Sequence, residues 1–256
     1  MVGGIVEAEG EKWLHAPFSA GFGAVCWRRP LATWAWAGVL MALEEWARGE
    51  GLTGISLVLT PWFYHPSRDE TLQFCLLKAG YTLAGAELTA FLSASRGIAA
   101  KGRQNARRAQ RHGAQLMELE LGEAYRFIKR CKDEAGLPVS VTEDEMLNLA
   151  AAVGDKLGAW GVFFHGELGG AMIVQRLNPR CSLGFMWAHD DRFSKARAAD
   201  FLVVRAAEAE FSLGAKVFDL GTVSIGGEVV EGVERFKRKL GAAHALRARY
   251  IRRLDG

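Results

Sequence analysis

A repeated order of predicted elements constrains the fold of this chain more than any single motif does. In the first half, the hydrophobic pattern predicts strand 21–27, helix 31–51, strand 55–60, helix 69–80 and strand 81–92. The second half repeats that order with strand 181–188, helix 195–214, strand 216–221, helix 231–241 and strand 244–253. The spacing agrees, because 29 positions separate Gly51 from Gly80 and 27 separate Gly214 from Gly241. The pattern therefore predicts two copies of one α/β unit, with crossover helices packed on a sheet.

Additional predicted elements lie between the two copies. They are a helix over 96–113, a strand over 115–121, helices over 123–137 and from Thr142 onward, and strands over 159–165 and 168–177. Thr142 and Glu145 have capping-box spacing, and the turn Gly166-Glu167 joins the last two strands. The first copy has room for only one hairpin before residue 21. We expect a mixed α/β (α+β) fold of two tandem units, 1–95 and 96–256. Each unit should contain a mixed, mostly antiparallel sheet with helices on both faces, and the first unit should be abbreviated.

The composition favours a globular protein with a substantial core. Half of the 256 residues are hydrophobic and 10% are aromatic. The first twelve residues include acids where a signal peptide has a basic stretch, and the apolar run 31–43 is shorter than the roughly 20 residues of a membrane-spanning helix. We therefore expect a cytoplasmic protein without membrane insertion. The sequence does not indicate an oligomeric state.

The four cysteines and six histidines lack the spacings of metal sites. Cys26, Cys75, Cys131 and Cys181 form no CxxC pair, so we expect four buried thiols in a reducing compartment rather than disulfides or zinc. The histidines form no HxxxH or HExxH pattern. We expect no metal or redox cofactor. A covalent intermediate is not expected either, because no Cys or Ser lies in a nucleophile-elbow pattern.

Basic residues are concentrated in two segments without acids. Residues 96–112 contain six Lys or Arg, and residues 235–253 contain eight, so these segments hold 14 of the 32 basic side chains. The rest of the chain has 18 basic residues against 29 acids. Such segregation favours a phosphorylated partner, because a basic surface raises the local concentration of phosphates. The alternative is that both segments are solvated helix faces.

The spacing within the first basic segment suits phosphate binding. Arg103, Arg107 and Arg111 recur every four residues, which places three guanidinium groups along one helix face. A guanidinium fork binds phosphate oxygens in a bidentate way. The alternative is a structural role, since arginines near a helix C-terminus also complement the helix dipole.

Three motifs in fixed order resemble a known family. The residues are Arg103, Asn105, Arg107, Ala109 and Gly113 at the junction, then Phe218, Asp219, Leu220 and Gly221, then Arg235, Phe236, Lys237 and Gly241. With the duplicated element order, they resemble the FemAB-like branch of the GNAT acyltransferase superfamily, over most of the chain from about residue 20. Members of that branch have two GNAT-like units and transfer acyl or aminoacyl groups to amines, notably in peptidoglycan bridge formation.

The resemblance implies an N-acyltransferase that moves an acyl or aminoacyl group from acyl-CoA or aminoacyl-tRNA to a primary amine, such as that of a cell-envelope precursor. It places the acceptor in a groove between the two units. It assigns the donor or the carbonyl in transit to Lys237, the basic residue after Phe236, and makes Arg235, Phe236 and Asp219 candidates for substrate binding. A fixed cation is useful there, because aminolysis builds an oxyanion. The alternative for Lys237 is a solvated lysine at a helix end.

A loop after the strand 55–60 contains candidate proton acceptors. Tyr64 and His65 lie between two prolines, at the strand end where α/β sheets tend to bind ligands. Either side chain could accept the proton that the attacking amine loses. The alternative is an idle loop histidine. Many relatives have Asp before the first proline, whereas this chain has Thr60, which puts in doubt that a peptidoglycan precursor is recognised in the same way.

The donor is ambiguous from sequence. Acyl-CoA enzymes of the GNAT fold usually bind the pyrophosphate at the start of a long helix through a Gly-rich loop, and residues 187–201 contain no glycine. Two acids there, Asp190 and Asp191, would repel a pyrophosphate, and Arg192, Lys195 and Arg197 offset them as candidate cofactor-binding residues. An aminoacyl-tRNA donor would explain both basic segments. The pattern favours neither donor.

A second function remains open, namely a non-catalytic protein that binds nucleic acid through a basic groove. The missing glycine loop and the abbreviated first unit favour it. Single-strand binders, however, usually place aromatic residues among the basic ones for base stacking, and residues 96–113 contain none.

Overall fold

The computed structural model describes residues 3–18, 20–27 and 29–254. The strands are β1 Gly4–Ala8, β2 Glu11–Ala16, β3 Gly54–Val58, β4 Thr82–Ser93, β5 Ala114–Glu118, β6 Leu157–Phe164, β7 Glu167–Asn178, β8 Cys181–His189, β9 Val217–Thr222, β10 Ser224–Ile225, β11 Glu228–Val229 and β12 Ala243–Arg253. The helices are α1 Thr33–Gly49, α2 Thr71–Lys78, α3 Ala100–Arg111, α4 Leu121–Glu134, α5 Glu143–Val153, α6 Ala198–Ser212 and α7 Glu231–Lys239. Among these described residues, no helix has the length and apolarity needed to cross a membrane.

The described chain packs into two compact units. Unit 1 comprises the described residues up to Leu88, Ser224–Val229 and residues 245–254. Unit 2 comprises Thr89–Val223 and Val230–His244. The chain thus completes unit 2 and then returns to unit 1 with most of β12. This is a division by packing, and the boundary between two related domains at residues 95 and 96 stays a prediction.

Unit 1 contains the strand order β1-β2-β3-β12-β4. The hairpin predicted before residue 21 is present as β1 and β2, and it turns at Glu9 and Gly10, whose φ values are 53° and 79°. Two consecutive residues with positive φ are what a two-residue hairpin turn of matching twist requires. β2 runs parallel to β3, and β3 runs antiparallel to β12.

The core of unit 1 lies on one face of its sheet. Alternation along β2 and β3 directs Leu14, Ala16, Ile55 and Leu57 to that face, where they form one buried cluster with residues of α1 and α2. Both described helices of unit 1 therefore pack on the same face, which differs from the predicted helices on both faces. The reason is that the described residues before α1 form only the hairpin of β1 and β2, so this unit has no helix for the other face, which carries His15 and Ser56.

Unit 2 contains the strand order β4-β9-β8-β7-β6-β5, antiparallel except for the parallel pair β8 and β9. Tyr125 and Ile128 of α4 and Met146 of α5 form a buried cluster with one face of this sheet. On the other face, the α6 residue Glu210 accepts hydrogen bonds from Trp160 and Ser182. The predicted fold class, two α/β units with mixed sheets of which the first is abbreviated, is confirmed.

Local predictions in unit 2 were mostly correct. The capping box of Thr142 and Glu145 is formed at the start of α5. The turn between β6 and β7 is His165-Gly166 rather than the predicted Gly166-Glu167, because the two consecutive positive φ values are 52° at His165 and 88° at Gly166.

The predicted strand over 21–27 was wrong. The described residues 20–27 have no strand; instead the backbone N–H groups of Gly23 and Ala24 both donate to the Val58 oxygen, at 3.1 Å each. Gly23 has a φ of 115°, which interrupts an extended backbone. Because this segment is irregular, Cys26 is exposed, which corrects the expectation of four buried thiols, whereas the other three cysteines are buried.

Candidate functional site

The central feature of unit 2 is an opening between its two parallel strands. β8 and β9 pair only from Cys181 to Leu183 and from Val217 to Asp219, although β8 continues to His189 and β9 to Thr222. The strands therefore separate after three pairs. On its other edge β8 pairs with β7, and the register shift there leaves Phe185 as an extra residue. Such a bulge changes the direction of the local backbone groups.

Helix α7 places two consecutive side chains across this opening. The Phe236 ring stacks on Trp187 of β8, with 5.8 Å between ring centroids and 29° between ring planes. The Lys237 ammonium donates to the backbone oxygens of Gly221 at 3.0 Å and Thr222 at 2.8 Å, at the end of β9. Lys237 is only 4% exposed, so the alternative of a solvated lysine at a helix end is wrong.

The turn that receives Lys237 is shaped by Asp219. This carboxylate is fully buried and accepts hydrogen bonds from the Thr89 hydroxyl at 2.9 Å and from the Gly221 N–H at 2.8 Å. Gly221 has a φ of 78°, a conformation that favours glycine. The structure thus places Asp219 inside the turn, where it fixes the two carbonyl groups that face Lys237.

The two basic segments meet within unit 2 at the start of α3 and the end of α7. The Ala99 N–H donates to the Leu240 oxygen at 2.9 Å. A Cβ added to Gly102 would lie 2.9 Å from Ile98 and 3.1 Å from Leu240, so glycine permits this close contact. Only the part of the second basic segment up to His244 takes part, because residues 245–253 belong to unit 1.

Asp200 of α6 connects these helices, which the sequence did not reveal. Its carboxylate, in a residue 4% exposed, accepts from the Asn105 side-chain amide at 3.0 Å and pairs with the Lys239 ammonium at 2.6 Å. The same ammonium lies 4.7 Å from the centroid of the Phe236 ring. The motif residue Asn105 therefore contributes to the position of α7. The only sequence signal for Asp200 was its position as an acid in the first turn of a long apolar helix. That position did not predict these contacts, because it is equally typical of an acid that stabilises the helix dipole.

The predicted phosphate-binding arginines of α3 lie on its solvent side. Arg103, Arg107 and Arg111 are exposed, and Arg103 also donates to the Ile98 oxygen. Arg235 of α7 is exposed as well and lies 3.7 Å from Glu231. Because both partners are more than 80% exposed, this ion pair has little effect on stability.

The basic residues in the segment before α6 differ in whether they pair with acidic side chains. Arg192 donates to both carboxylate oxygens of Asp190 and lies 2.7 Å from a carboxylate oxygen of Glu167. These hydrogen bonds lower the pKa of Asp190, because they stabilise its ionised form. Lys195 is exposed, and Arg197 is the N-terminal cap residue of α6 with a φ of 69°. Arg192 is thus already neutralised by two acids.

The loop that carries the predicted proton acceptors belongs to unit 1. A short 3₁₀ turn, Trp62–Tyr64, follows β3, and Tyr64 is 8% exposed. The His65 ring stacks on Trp27, with 4.2 Å between centroids and 15° between planes. Burial lowers the pKa of His65, and the nearby Asp69 opposes this change only partly. The imidazole therefore favours its neutral form, which can accept a proton.

Within the described residues, no group of three or more His, Cys, Asp or Glu side chains could hold a metal ion.

Comparisons with known proteins place the chain by its fold. No family model matches it, and the comparison with curated protein sequences gave no match. Among solved structures, FemX is similar with a TM-score of 0.71 at 10% identity, over 96% of this chain and 82% of FemX. A conserved protein of unknown function from Bacteroides thetaiotaomicron has a TM-score of 0.64 at 13% identity, over 98% and 82% of the two chains. The C-terminal domain of a protein named as a lysylphosphatidylglycerol synthetase, from Agrobacterium fabrum, has a TM-score of 0.61 at 14% identity, over 98% and 80%. The chain therefore has the FemX-like fold that its resemblance to the FemAB-like branch predicted.

Proposed function

We propose that this protein is an N-acyltransferase, which transfers an acyl or aminoacyl group from a phosphorylated donor to a primary amine. The observation that carries the proposal is the opening between β8 and β9 with Phe236 and Lys237 placed across it. An opening between parallel strands accepts an extended chain, because strand edges offer backbone N–H and C=O groups to it. The acyl end of the donor is proposed to enter there.

The proposed mechanism is direct attack of the amine on the donor carbonyl. The tetrahedral intermediate carries an oxyanion, which a cation or N–H donor held in a site with little water stabilises. Lys237 supplies the cation, since its ammonium is buried and oriented by two carbonyl groups. The bulge at Phe185 supplies backbone groups that leave the regular ladder with β7. Collapse of the intermediate breaks the bond between the carbonyl carbon and the donor's sulfur or oxygen, so that the CoA thiol or the tRNA ribose hydroxyl leaves. His65 or Tyr64 is proposed to accept the proton that the amine releases, and the leaving group takes up one proton.

The donor is proposed to be acyl-CoA or aminoacyl-tRNA, with its phosphates on the exposed arginines of α3, namely Arg103, Arg107 and Arg111. Among the residues before α6, Lys195 and Arg197 remain candidates for cofactor contacts. Arg192 is a weaker one, because Asp190 and Glu167 already neutralise it. The name of one structural neighbour, a lysylphosphatidylglycerol synthetase, is consistent with an aminoacyl group on this fold. The free thiols support a reducing, cytoplasmic compartment.

The experiment is an acyl-transfer assay with the full chain. Labelled acetyl-CoA or charged tRNA is incubated with a panel of amines, and acylated product is measured. Lys237→Met should lower kcat about 10²- to 10³-fold, because one oxyanion-stabilising donor is lost. Lys156→Met, which removes an exposed lysine of unit 2, is the matched control and should retain full activity.

A folding measurement accompanies the assay, because Lys237 is buried and its replacement leaves two carbonyl groups without that donor. Phe236→Leu is a second variant that keeps the charge and removes the ring on Trp187. Persistent RNA binding without turnover on any donor would overturn the enzyme proposal in favour of a nucleic-acid-binding protein. Full activity of both folded variants would show that α7 is not part of the catalytic site.

A further inference from the structure

The sheet of unit 1 has a second face that no described helix of this unit covers. His15 of β2 and Ser56 of β3 occupy matched positions in the parallel pair, and Arg249 of β12 is matched with Val58 in the antiparallel pair. Alternation directs these side chains away from the core face that contains Leu57. We call this surface the open face.

A continuous trough runs along the open face. Two adjoining cavities, of about 340 and 420 Å³, share Val6, His15, Ser56 and Arg249 in their linings. The smaller cavity extends toward Phe18 and the larger one toward Trp13. A cavity of about 300 Å³ or more is large enough for a small ligand.

Two glycines give the trough its end walls. A Cβ added to Gly4 would lie 2.6 Å from the Phe18 ring, and one added to Gly54 would lie 2.5 Å from the Trp13 ring. Neither ring could keep its place over a larger residue. The aromatic walls therefore depend on these two glycines.

Three hydrogen-bonding groups in the trough make no hydrogen bond or ion pair with the described residues. Ser56 is 4% exposed and lines both cavities. Arg249 is exposed and His15 is half-buried. In contrast, Arg253 near the Trp13 wall is paired with Glu11 at 2.8 Å. The side chains of Ser56 and Arg249 are therefore available to donate hydrogen bonds to a ligand in the trough.

The charges differ between the two halves of the trough. The half near Phe18 is lined by apolar residues and by one permanently charged side chain, Arg249. The acids Glu9 and Glu11 line only the other half. An anion is therefore favoured near Phe18 and disfavoured near Trp13.

We propose that the open face of unit 1 binds a carboxylate or phosphate group attached to an apolar group. The Arg249 guanidinium takes two oxygens of the anion, and the Ser56 hydroxyl and the His15 ring donate to it from the floor of the trough. The apolar part of the ligand lies against Val6, Pro17 and Phe18. This inference does not depend on acyl transfer, because every residue it uses lies in unit 1 and binding alone is measured.

The experiment is equilibrium binding to the full chain, followed by calorimetry and by NMR chemical shifts. The probes are acetate, hexanoate, inorganic phosphate and phenyl phosphate. We expect hexanoate to bind more tightly than acetate, or phenyl phosphate more tightly than inorganic phosphate. The series that binds identifies the anion as carboxylate or phosphate.

Variants locate the site. Arg249→Gln should weaken binding at least about tenfold, since a charged hydrogen-bond partner is lost, and Ser56→Ala roughly three- to tenfold. Arg48→Gln removes one positive charge from the solvent side of α1 and should leave binding unchanged. Thermal unfolding confirms that each variant folds. The proposal is overturned if no probe binds saturably at millimolar concentration, or if Arg249→Gln binds as tightly as the unchanged chain.

Discussion

His65 illustrates how a single residue acquires a function-related property from its neighbours. Its sequence context, a loop between two prolines, is equally compatible with an idle side chain. In the structure it is stacked on Trp27 and partly buried, and this burial lowers its pKa below the usual value of 6.5. A neutral imidazole is the form that a proton acceptor needs.

The lowered pKa of His65 has a measurable effect on stability. As the pH falls below about 6.5, the unfolded chain binds a proton at this residue before the folded chain does, so the free energy of unfolding decreases. His65→Gln should reduce this decrease, in urea denaturation series across mildly acidic pH. Part of it should remain, because burial also lowers the pKa of His244. Identical pH dependence of the two proteins would contradict the prediction.

The residues of the candidate site could be listed from the sequence, but their environments could not. Phe236 and Lys237 were identified through their motif, whereas the carbonyl partners of Lys237 lie about 15 positions away in the chain. Their approach depends on the turn that Asp219 and Gly221 form. Likewise, His15, Ser56 and Arg249 share one face only because of the register of three strands. The register between strands is set by tertiary packing and cannot be read from the local hydrophobic pattern of one strand.

At the scale of elements, the position of α7 depends on the contacts of Asp200 with α3 and α7. Its carboxylate is buried between Asn105 and Lys239. The opening between β8 and β9 is bordered by the same helix, so a shift of α7 would change the candidate site.

Asp200→Ala should therefore destabilise unit 2 and disturb α7. Loss of one partner of a buried ion pair costs about 3–5 kcal/mol, and we expect the low end, about 3 kcal/mol, because the Lys239 side chain is 27% exposed. The free energy of unfolding from urea denaturation measures this. Asp191→Ala is the control, since this side chain is 97% exposed, and its effect should stay within about 0.5 kcal/mol. Equal effects of the two variants would refute a stabilising role of these contacts.

Most elements could be predicted because their hydrophobic periods are long and regular. The helices over 31–51 and 195–214 and the strands over 159–165 and 168–177 are present with small changes of their ends. The strand predicted over 21–27 was wrong because a short apolar run with glycines fits either a strand or an irregular segment when no pairing strand is known. The separation of β8 and β9 could not be predicted, since each strand by itself has an ordinary pattern.

At the scale of the whole molecule, residues that pack into one unit are not contiguous in the sequence. Unit 1 is interrupted by unit 2 and is completed by residues 245–254 of β12 and of the segment after it. β12 lies between β3 and β4 in the strand order, and Tyr250 and Leu254 belong to the core of unit 1. The distribution of charged residues along the chain did not indicate this return.

A chain that ends at His244 should therefore lose the structure of unit 1. Hydrogen–deuterium exchange of β3 is the measurement, and its amides should exchange rapidly in the shortened chain. Removal of β1 is the control, because β1 is the edge strand of this unit and its loss leaves the core of β2, β3 and β12 in place. Protected β3 amides in the chain without β12 would contradict the prediction.

The late return of β12 also has a consequence for synthesis on the ribosome. β3 and β4 emerge long before β12, the strand that lies between them in the sheet. Each of them therefore has an unpaired edge during the translation of unit 2. Unit 2 can acquire most of its structure during that time, whereas unit 1 cannot close until β12 leaves the exit tunnel. The nascent chain thus passes through a stage in which its first-made strands have unpaired edges, which favour aggregation until β12 pairs with them.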